Sequence, residues 1–285
     1  MSRIPPIPDV SPAKPPAYLS PVGLVAIDLD GTLLTDQKQV SIRTAKALAA
    51  LPAMGVKVVI ASARPPRSVR QVYDLLKLDT WQINYNGALI YDPPNAAVVR
   101  HEPMPAELVA AIVDRARAAY PDCLVSCEIL DKWYTDRADQ TYTTETGRMF
   151  QPDLVAPLHM FLSQPVTKLM LLGPTPMIDD LSHTLRPAFP DVAVVRADPE
   201  LIQIMGSAVS KGAALRHVAE AYGVPMGRVL AIGDATNDIE MLRSAGIAVA
   251  VGNAHPSVKA AAHWVAPTNN EQGVHATLVK YGLAE

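Results

Sequence analysis

Cysteine is nearly missing from this chain. Its 285 residues include two, Cys123 and Cys127, within an alternating segment, DCLVSCEIL, that reads as a strand. Residues four apart on a strand lie ~13 Å apart at about 3.3 Å per residue. A disulfide needs Cα atoms within roughly 7 Å, so the two cannot pair with each other there. No Cys-x-x-Cys exists, and the seven histidines are scattered without helical pairing, which excludes the usual zinc patterns. Two free thiols fit a reducing cytoplasm.

A basic excess is missing too. The formal net charge is −3, which gives no electrostatic case for nucleic-acid binding. No apolar run is long enough to cross a membrane. The opening MSRIPPIPDVSPAKPPAYLSP has no apolar stretch of the kind a secretory signal needs. Residues 1–20 are expected to form a flexible, proline-rich arm. Gly-x-Gly-x-x-Gly, His-Glu-x-x-His and Gly-x-Ser-x-Gly do not occur, and GSAVSKG lacks the Gly-Lys-Ser/Thr of a phosphate loop. No pattern specifies an oligomeric state.

What is present is a strand–helix rhythm. VGLVAIDLD is a near-continuous apolar strand, as expected of a parallel sheet buried on both faces. SIRTAKALAALPAMG follows as a helix, with Ser41 to cap it, Pro52 to disturb its last turn and Gly55 to stop it. VKVVIAS, PPRSVRQVYDLLKL and WQINYNGA continue as strand, helix and strand. The middle reads differently. A hairpin around Pro93-Pro94-Asn95, a helix over PAELVAAIVDRARAAY, and the short strands CLVSCEIL and KWYTDR suggest an antiparallel α+β module. The α/β rhythm then resumes through SKGAALRHVAEAYG, RVLAIGD, NDIEMLRSAG and IAVAVGN. The expected organisation is a Rossmann-like doubly wound parallel sheet core, residues 21–87 and 197–285, with an inserted α+β cap domain at 88–196.

In an open parallel sheet, ligands bind beyond the carboxyl ends of the strands. Three strands place polar groups there: Asp28 and Asp30 after the first, Ser62 after the second, and Asp234 with Asn237 and Asp238 after a later one. Four acidic groups in one cleft would repel, and a divalent cation resolves this. Magnesium suits oxygen ligands and a phosphate oxygen. Lys211, opening the SKGAAL helix, is expected to face the same cleft. Singly each residue has a plain structural reading: Asp30-Gly31 is a common turn pair, Asp234 could cap a helix, and Lys211 could be solvated. Their joint order carries the inference.

DLDGTLL, the Ser62 of ASAR, Lys211 and GDATND resemble the four motifs of the haloacid dehalogenase-like hydrolases. Asn86-Gly87-Ala88, the insertion after it and IQIMGSAVSKGAAL narrow the likeness to the Cof-type phosphatases, over residues 22–280. The resemblance implies a magnesium-dependent phosphatase acting on a small phosphorylated metabolite, of the sugar phosphate, flavin mononucleotide or pyridoxal phosphate class. It implies Asp28 as nucleophile, Asp30 as general acid and base, and Lys211 as the neutralising cation. Magnesium would be held by Asp28, the Asp30 carbonyl, Asp234 and Asp238, and the phosphate by Gly31, Ser62, Ala63, Arg64 and Asn237. Two departures stand out. Ala63 occupies a position where relatives often carry glycine, and Ala235 one where glycine or a polar residue is frequent; alanine would be strained at Ala63 if the backbone there had positive φ, and Ala235 bears on a substrate-side contact, not on the metal site. Arg64 is open between a substrate contact and a helix-end ion pair, and Trp133 and Tyr134 between core and substrate platform. A phosphosugar mutase is the rival enzyme, but about thirty residues between Asp30 and Ser62 leave no room for the cap such relatives place there. A catalytically silent phosphometabolite-binding protein is the rival from another class, and both aspartates argue against it.

Overall fold

The computed structural model describes residues 21–139, 141–142 and 145–285, and the proline-rich arm assigned to residues 1–20 lies outside them. From the amino end, β1 (Leu24–Ile27) leads to α1 (Ile42–Ala50), β2 (Lys57–Ile60) and α2 (Pro66–Leu75). Next come β3 (Gln82–Asn84), β4 (Leu89–Asp92), β5 (Ala97–His101), α3 (Ala106–Ala119), β6 (Leu124–Ile129) and β7 (Lys132–Thr135). The middle ends with α4 (Glu145–Met149), β8 (Leu154–Val155), β9 (Lys168–Leu172), α5 (Thr175–Ala188), β10 (Val192–Asp198) and β11 (Leu201–Gly206). Then follow α6 (Lys211–Ala221), β12 (Val229–Gly233), α7 (Ile239–Ser244), β13 (Ile247–Ala250), α8 (Pro256–Ala261), β14 (Trp264–Val265) and α9 (Gly273–Lys280). The chain divides into two compact units. One runs to Ile60 and resumes over Leu75–Leu78 and Leu215–Glu285; the other takes Ala61–Asp74 and Asp79–Ala214.

The first unit is built on a parallel sheet of order β14-β13-β12-β1-β2. Every residue of β1 and β12 is buried, which is why both are unbroken apolar runs rather than alternating ones. Chain progression runs to one side from β1 and to the other from β12, so these neighbours mark a switch point whose carboxyl end opens a crevice. Ser41 caps α1 by accepting from the Thr44 N–H. Pro52 sits in a 3-10 turn, Leu51–Met54, and Gly55 closes it at φ +74°. The helix therefore stops where its chemistry forbids continuation.

The second unit carries two sheets. The larger has the order β10-β11-β9-β6-β7-β8 and is antiparallel except for β7 with β8. Val125, Cys127, Leu169, Leu171, Ile202 and Ile204 turn one face onto α3 and α5, in a core with Ile112 and Leu181. Both cysteines are buried and free. Two local expectations are corrected. β3 is not a member of the five-stranded parallel sheet; it pairs antiparallel with β4 in a three-stranded sheet, and its Ile83 forms an isolated parallel bridge with Ala61. The strand is three residues long, and Tyr85 and Asn86 then turn the chain back at φ +49° and +56°. The antiparallel sheet also continues past 196, because LIQIMG forms β11 against β9 and β10. No helix among the described residues is long and apolar enough to cross a membrane.

Candidate active site

At the carboxyl ends of β1 and β12, Asp28, Asp234 and Asp238 each bring one oxygen to within 4.8 Å of the others. Asp28 is 5% exposed and Asp238 fully buried. Three carboxylates this close, two of them out of water, repel unless protonated or bridged by a cation. An all-oxygen set of this kind fits magnesium. The cluster is tied from several sides. The Thr32 hydroxyl donates to Asp234 Oδ1 at 2.6 Å. Asp238 Oδ2 accepts from the Asp234 and Ala235 N–H groups, both at 3.0 Å, so Asp238 also orders the loop that carries Asp234. Asn237, beside it, is exposed.

The turn after β1 is equally constrained. Gly31 has φ +78°, and a Cβ there would lie 2.5 Å from Asp234 Oδ2. Only glycine permits both the conformation and the approach. Asn253 Nδ2 donates to the Gly31 carbonyl at 2.7 Å, and Asn253 Oδ1 accepts from the Asn269 N–H at 2.9 Å. Asn269 Nδ2 in turn donates to the Leu34 carbonyl at 3.0 Å. Asp30 is not one of the three clustered carboxylates. Its side chain pairs with Lys38 Nζ at 2.7 Å.

The remaining expected residues lie in the second unit. Ser62 is buried. Its N–H donates to the Ile83 carbonyl, its own carbonyl accepts from the Asn86 N–H, and its Oγ accepts from the Arg64 N–H. Ala63 is not among the residues with positive φ, so alanine there carries no left-handed strain. The Arg64 carbonyl accepts from Asn84 Nδ2 at 3.2 Å. Gly87, at φ +107°, would place a Cβ 2.3 Å from the Ser210 carbonyl. Asn86-Gly87 therefore packs the Ser62 turn against the residue preceding Lys211. Lys211 opens α6 at 1% exposure, a burial that an ammonium tolerates only with partners.

Thr32, Asn253 and Asn269 were not singled out from the sequence. Thr32 could have been, since it stands in the same short run as both aspartates. Asn253 and Asn269 carried no signal, because the carbonyls they hold, of Gly31 and Leu34, lie more than two hundred residues away. Arg67 was likewise missed. It bonds buried Glu128 at 2.6 Å and pairs with Asp131 at 3.3 Å, while the Tyr85 hydroxyl donates to Glu128 at 3.0 Å. Tyr134 belongs to the core, stacked on Phe161 with ring centroids 5.7 Å apart.

The family model described as haloacid dehalogenase-like hydrolase matches residues 25–278. Among curated proteins, the 5-amino-6-(5-phospho-D-ribitylamino)uracil phosphatase YitU of Bacillus subtilis is 32% identical over 262 residues, covering 90% of this chain and 97% of its own. The putative phosphatase YxeH of the same organism is 32% identical, covering 92% and 99%. Among solved structures, TM0651 from Thermotoga maritima aligns with a TM-score of 0.81 at 29% identity, over 91% of this chain and 97% of that one.

Proposed function

The chain belongs to the haloacid dehalogenase-like hydrolases, as a phosphatase of the Cof type, and from that premise we propose that it cleaves a small phosphomonoester through an aspartyl-phosphate on Asp28. The observation that carries this is the carboxylate cluster of Asp28, Asp234 and Asp238 at the switch point of the parallel sheet. A carboxylate oxygen of Asp28 attacks phosphorus, and the ester P–O bond breaks as Asp30 gives its proton to the leaving oxygen. Water then attacks the same phosphorus, Asp30 takes its proton, and the bond to Asp28 breaks to release inorganic phosphate. Lys211 offsets the charge of the phosphoryl group. Gly31, Ser62, Ala63, Arg64 and Asn237 are assigned to its oxygens. Asp28, Asp234, Asp238 and the Asp30 carbonyl would hold magnesium, which when bound neutralises charge between the nucleophile and an anionic phosphate.

The substrate class is a small phosphorylated metabolite, on the likeness to YitU, which is named for a phosphoribityl substrate. Two buried, unpaired thiols support a cytoplasmic setting. The test is turnover of a generic phosphomonoester. Asp28→Asn is nearly isosteric and should abolish it while leaving the thermal transition in place; wild-type kcat in that variant would end the covalent reading. Excess chelator should also stop turnover and added magnesium restore it. Undiminished activity in chelator would show that the acidic cluster works without a cation.

A further inference from the structure

Within the first unit, the loop that follows β1 is held at several points by asparagines from far along the chain. Asn253 Nδ2 donates to the Gly31 carbonyl at 2.7 Å. Asn269 gives its amide hydrogens to the same loop, to the Leu34 carbonyl at 3.0 Å and to Asp36 Oδ1 at 3.1 Å. Asn270 Nδ2 donates to Asp36 Oδ2 at 2.8 Å, and its Oδ1 accepts from the Asp36 N–H at 3.1 Å. Asn253 and Asn269 are themselves joined, since Asn253 Oδ1 accepts from the Asn269 N–H. Carbonyls and carboxylates only accept and a backbone N–H only donates, so each amide is oriented by its partners. The holding side is built independently of the loop. The turn Asn269–Glu271 is closed by a capping box, in which the Thr268 hydroxyl accepts from the Glu271 N–H and Glu271 Oε2 accepts from the Thr268 N–H. Asn269 is buried, whereas Asn253 and Asn270 are exposed.

What these bonds enclose is Asp30. Gly31 is the residue after it, and Leu34 is its partner in an isolated bridge. The Leu33 and Leu34 N–H groups donate to the carbonyls of Asp28 and Leu29, so the loop folds back on the end of β1. Farther along, the Thr35 N–H donates to the Gln39 carbonyl, closing a turn that presents Lys38 at φ +59°. Lys38 Nζ meets Asp30 Oδ1 at 2.7 Å. The backbone and the side chain of Asp30 are therefore both located by the loop that the asparagines hold. The ion pair is solvent-exposed, and such pairs add little alone. The amides fix the frame in which it forms.

We propose that Asn253 and Asn269 are positioning residues that set the place of Asp30 for proton transfer to the leaving oxygen. This rests on the reading of Asp30 as the general acid. The asparagines act through the loop and not on the substrate. A misplacement of about 1 Å, caused far from the chemistry, can cost on the order of 10²-fold in rate.

The leaving group distinguishes a misplaced acid from a general loss of structure. 4-Nitrophenyl phosphate releases a stable phenolate that needs no proton, whereas ribose 5-phosphate expels an alkoxide that does. kcat/KM covers the steps up to cleavage of the ester P–O bond, so it excludes the later hydrolysis of the aspartyl-phosphate. At saturating magnesium, Asp30→Asn should lower kcat/KM for ribose 5-phosphate by about 10²–10⁴-fold, with a much smaller fall for the nitrophenyl ester. Asn253→Ala, at an exposed position, and Asn269→Ala should each lower the ratio of the alkyl to the nitrophenyl kcat/KM on the order of tenfold. If Asp30→Asn shows the split and neither asparagine variant does, the inference is overturned and the phosphatase reading stands. If Asp30→Asn shows no split, Asp30 is not the acid, and the inference falls with that reading. The hold on the loop is measured without substrate, by amide hydrogen exchange at Leu33 and Leu34 in the full chain. Exchange should be on the order of tenfold faster in Asn253→Ala than in the wild type, and unchanged exchange overturns the inference. If neither ester is turned over, the phosphatase reading fails, and the exchange rates still decide whether the asparagines hold the loop.

Discussion

Thr32 shows how much of the proposed chemistry depends on residues that never meet substrate. Its hydroxyl holds one oxygen of Asp234 at 2.6 Å, which fixes how that carboxylate presents its other oxygen. Partners of this kind orient ligands, and losing one typically costs 10–100-fold in metal affinity or activity. Thr32→Val keeps the shape and removes the donor. It should raise the magnesium concentration needed for half-maximal rate on the order of tenfold, with little change in melting temperature. A magnesium titration of initial rates checks this, and an unshifted midpoint would show that Thr32 serves only the turn. At this scale the sequence was legible for the groups with obvious chemistry. Of the four aspartates expected in one cleft from their places at strand ends, Asp28, Asp234 and Asp238 come together, while the Asp30 side chain pairs with Lys38. The contacts that hold the turn, through Asn253 and Asn269, join residues whose proximity exists only after the sheet has formed.

At the scale of elements, β6 and the residue just before it carry a consequence for stability. Burial pushes the Cys123 thiol up to about 11 from an ordinary value of 9.0, and burial pushes Cys127 up as well. Above pH 9 the unfolded chain therefore loses thiol protons that the folded chain keeps. The stability these thiols contribute is fully present below pH 9 and is lost as pH rises from 9 toward 11 and beyond. Cys123 alone accounts for roughly 2–3 kcal/mol of that loss by pH 11. Tyr85, raised mainly by burial, acts in the same sense. Lys168, lowered mainly by burial, acts against them, since its unfolded form holds its proton longer. Replacing both cysteines by alanine isolates their share. Melting temperature measured from pH 8 to 11 should fall less steeply in Cys123→Ala/Cys127→Ala than in the wild type, whatever the variant loses at pH 8. Parallel slopes would mean that the thiols ionise alike in both states. The same strand illustrates what patterning reveals. Alternation exposed β6 in the sequence because its two faces differ, with Val125 and Cys127 on the helical core and Ser126 and Glu128 opposite. β11 was missed because LIQIMG was read as part of a motif, and β3 was placed in the wrong sheet because three residues contain no information about partners.

On the scale of the whole molecule, charge bounds the substrate. Twenty-five Lys and Arg stand against twenty-eight Asp and Glu, and the proposed site adds an acidic cluster of its own. A polyanion is held by neutralising many phosphates at once, and its affinity then falls steeply with salt as counterions are released. A chain with no basic surplus offers no net positive charge for this. A single phosphoryl group needs only one lysine, a hydroxyl and the cation, all of which the proposal supplies locally. The intact protein should therefore prefer small phosphomonoesters to a 5′-phosphorylated oligonucleotide or a phosphopeptide by at least about tenfold in kcat/KM. Its rate on the small ester should change little between 50 and 200 mM salt, a range over which a binder with six to ten phosphate contacts loses about 10³–10⁵ in affinity. Both quantities come from one set of initial-rate measurements at fixed magnesium. Faster turnover of the oligonucleotide, together with a steep loss of rate as salt rises, would show that a basic surface escapes the net charge, and the small-metabolite reading would fall with it.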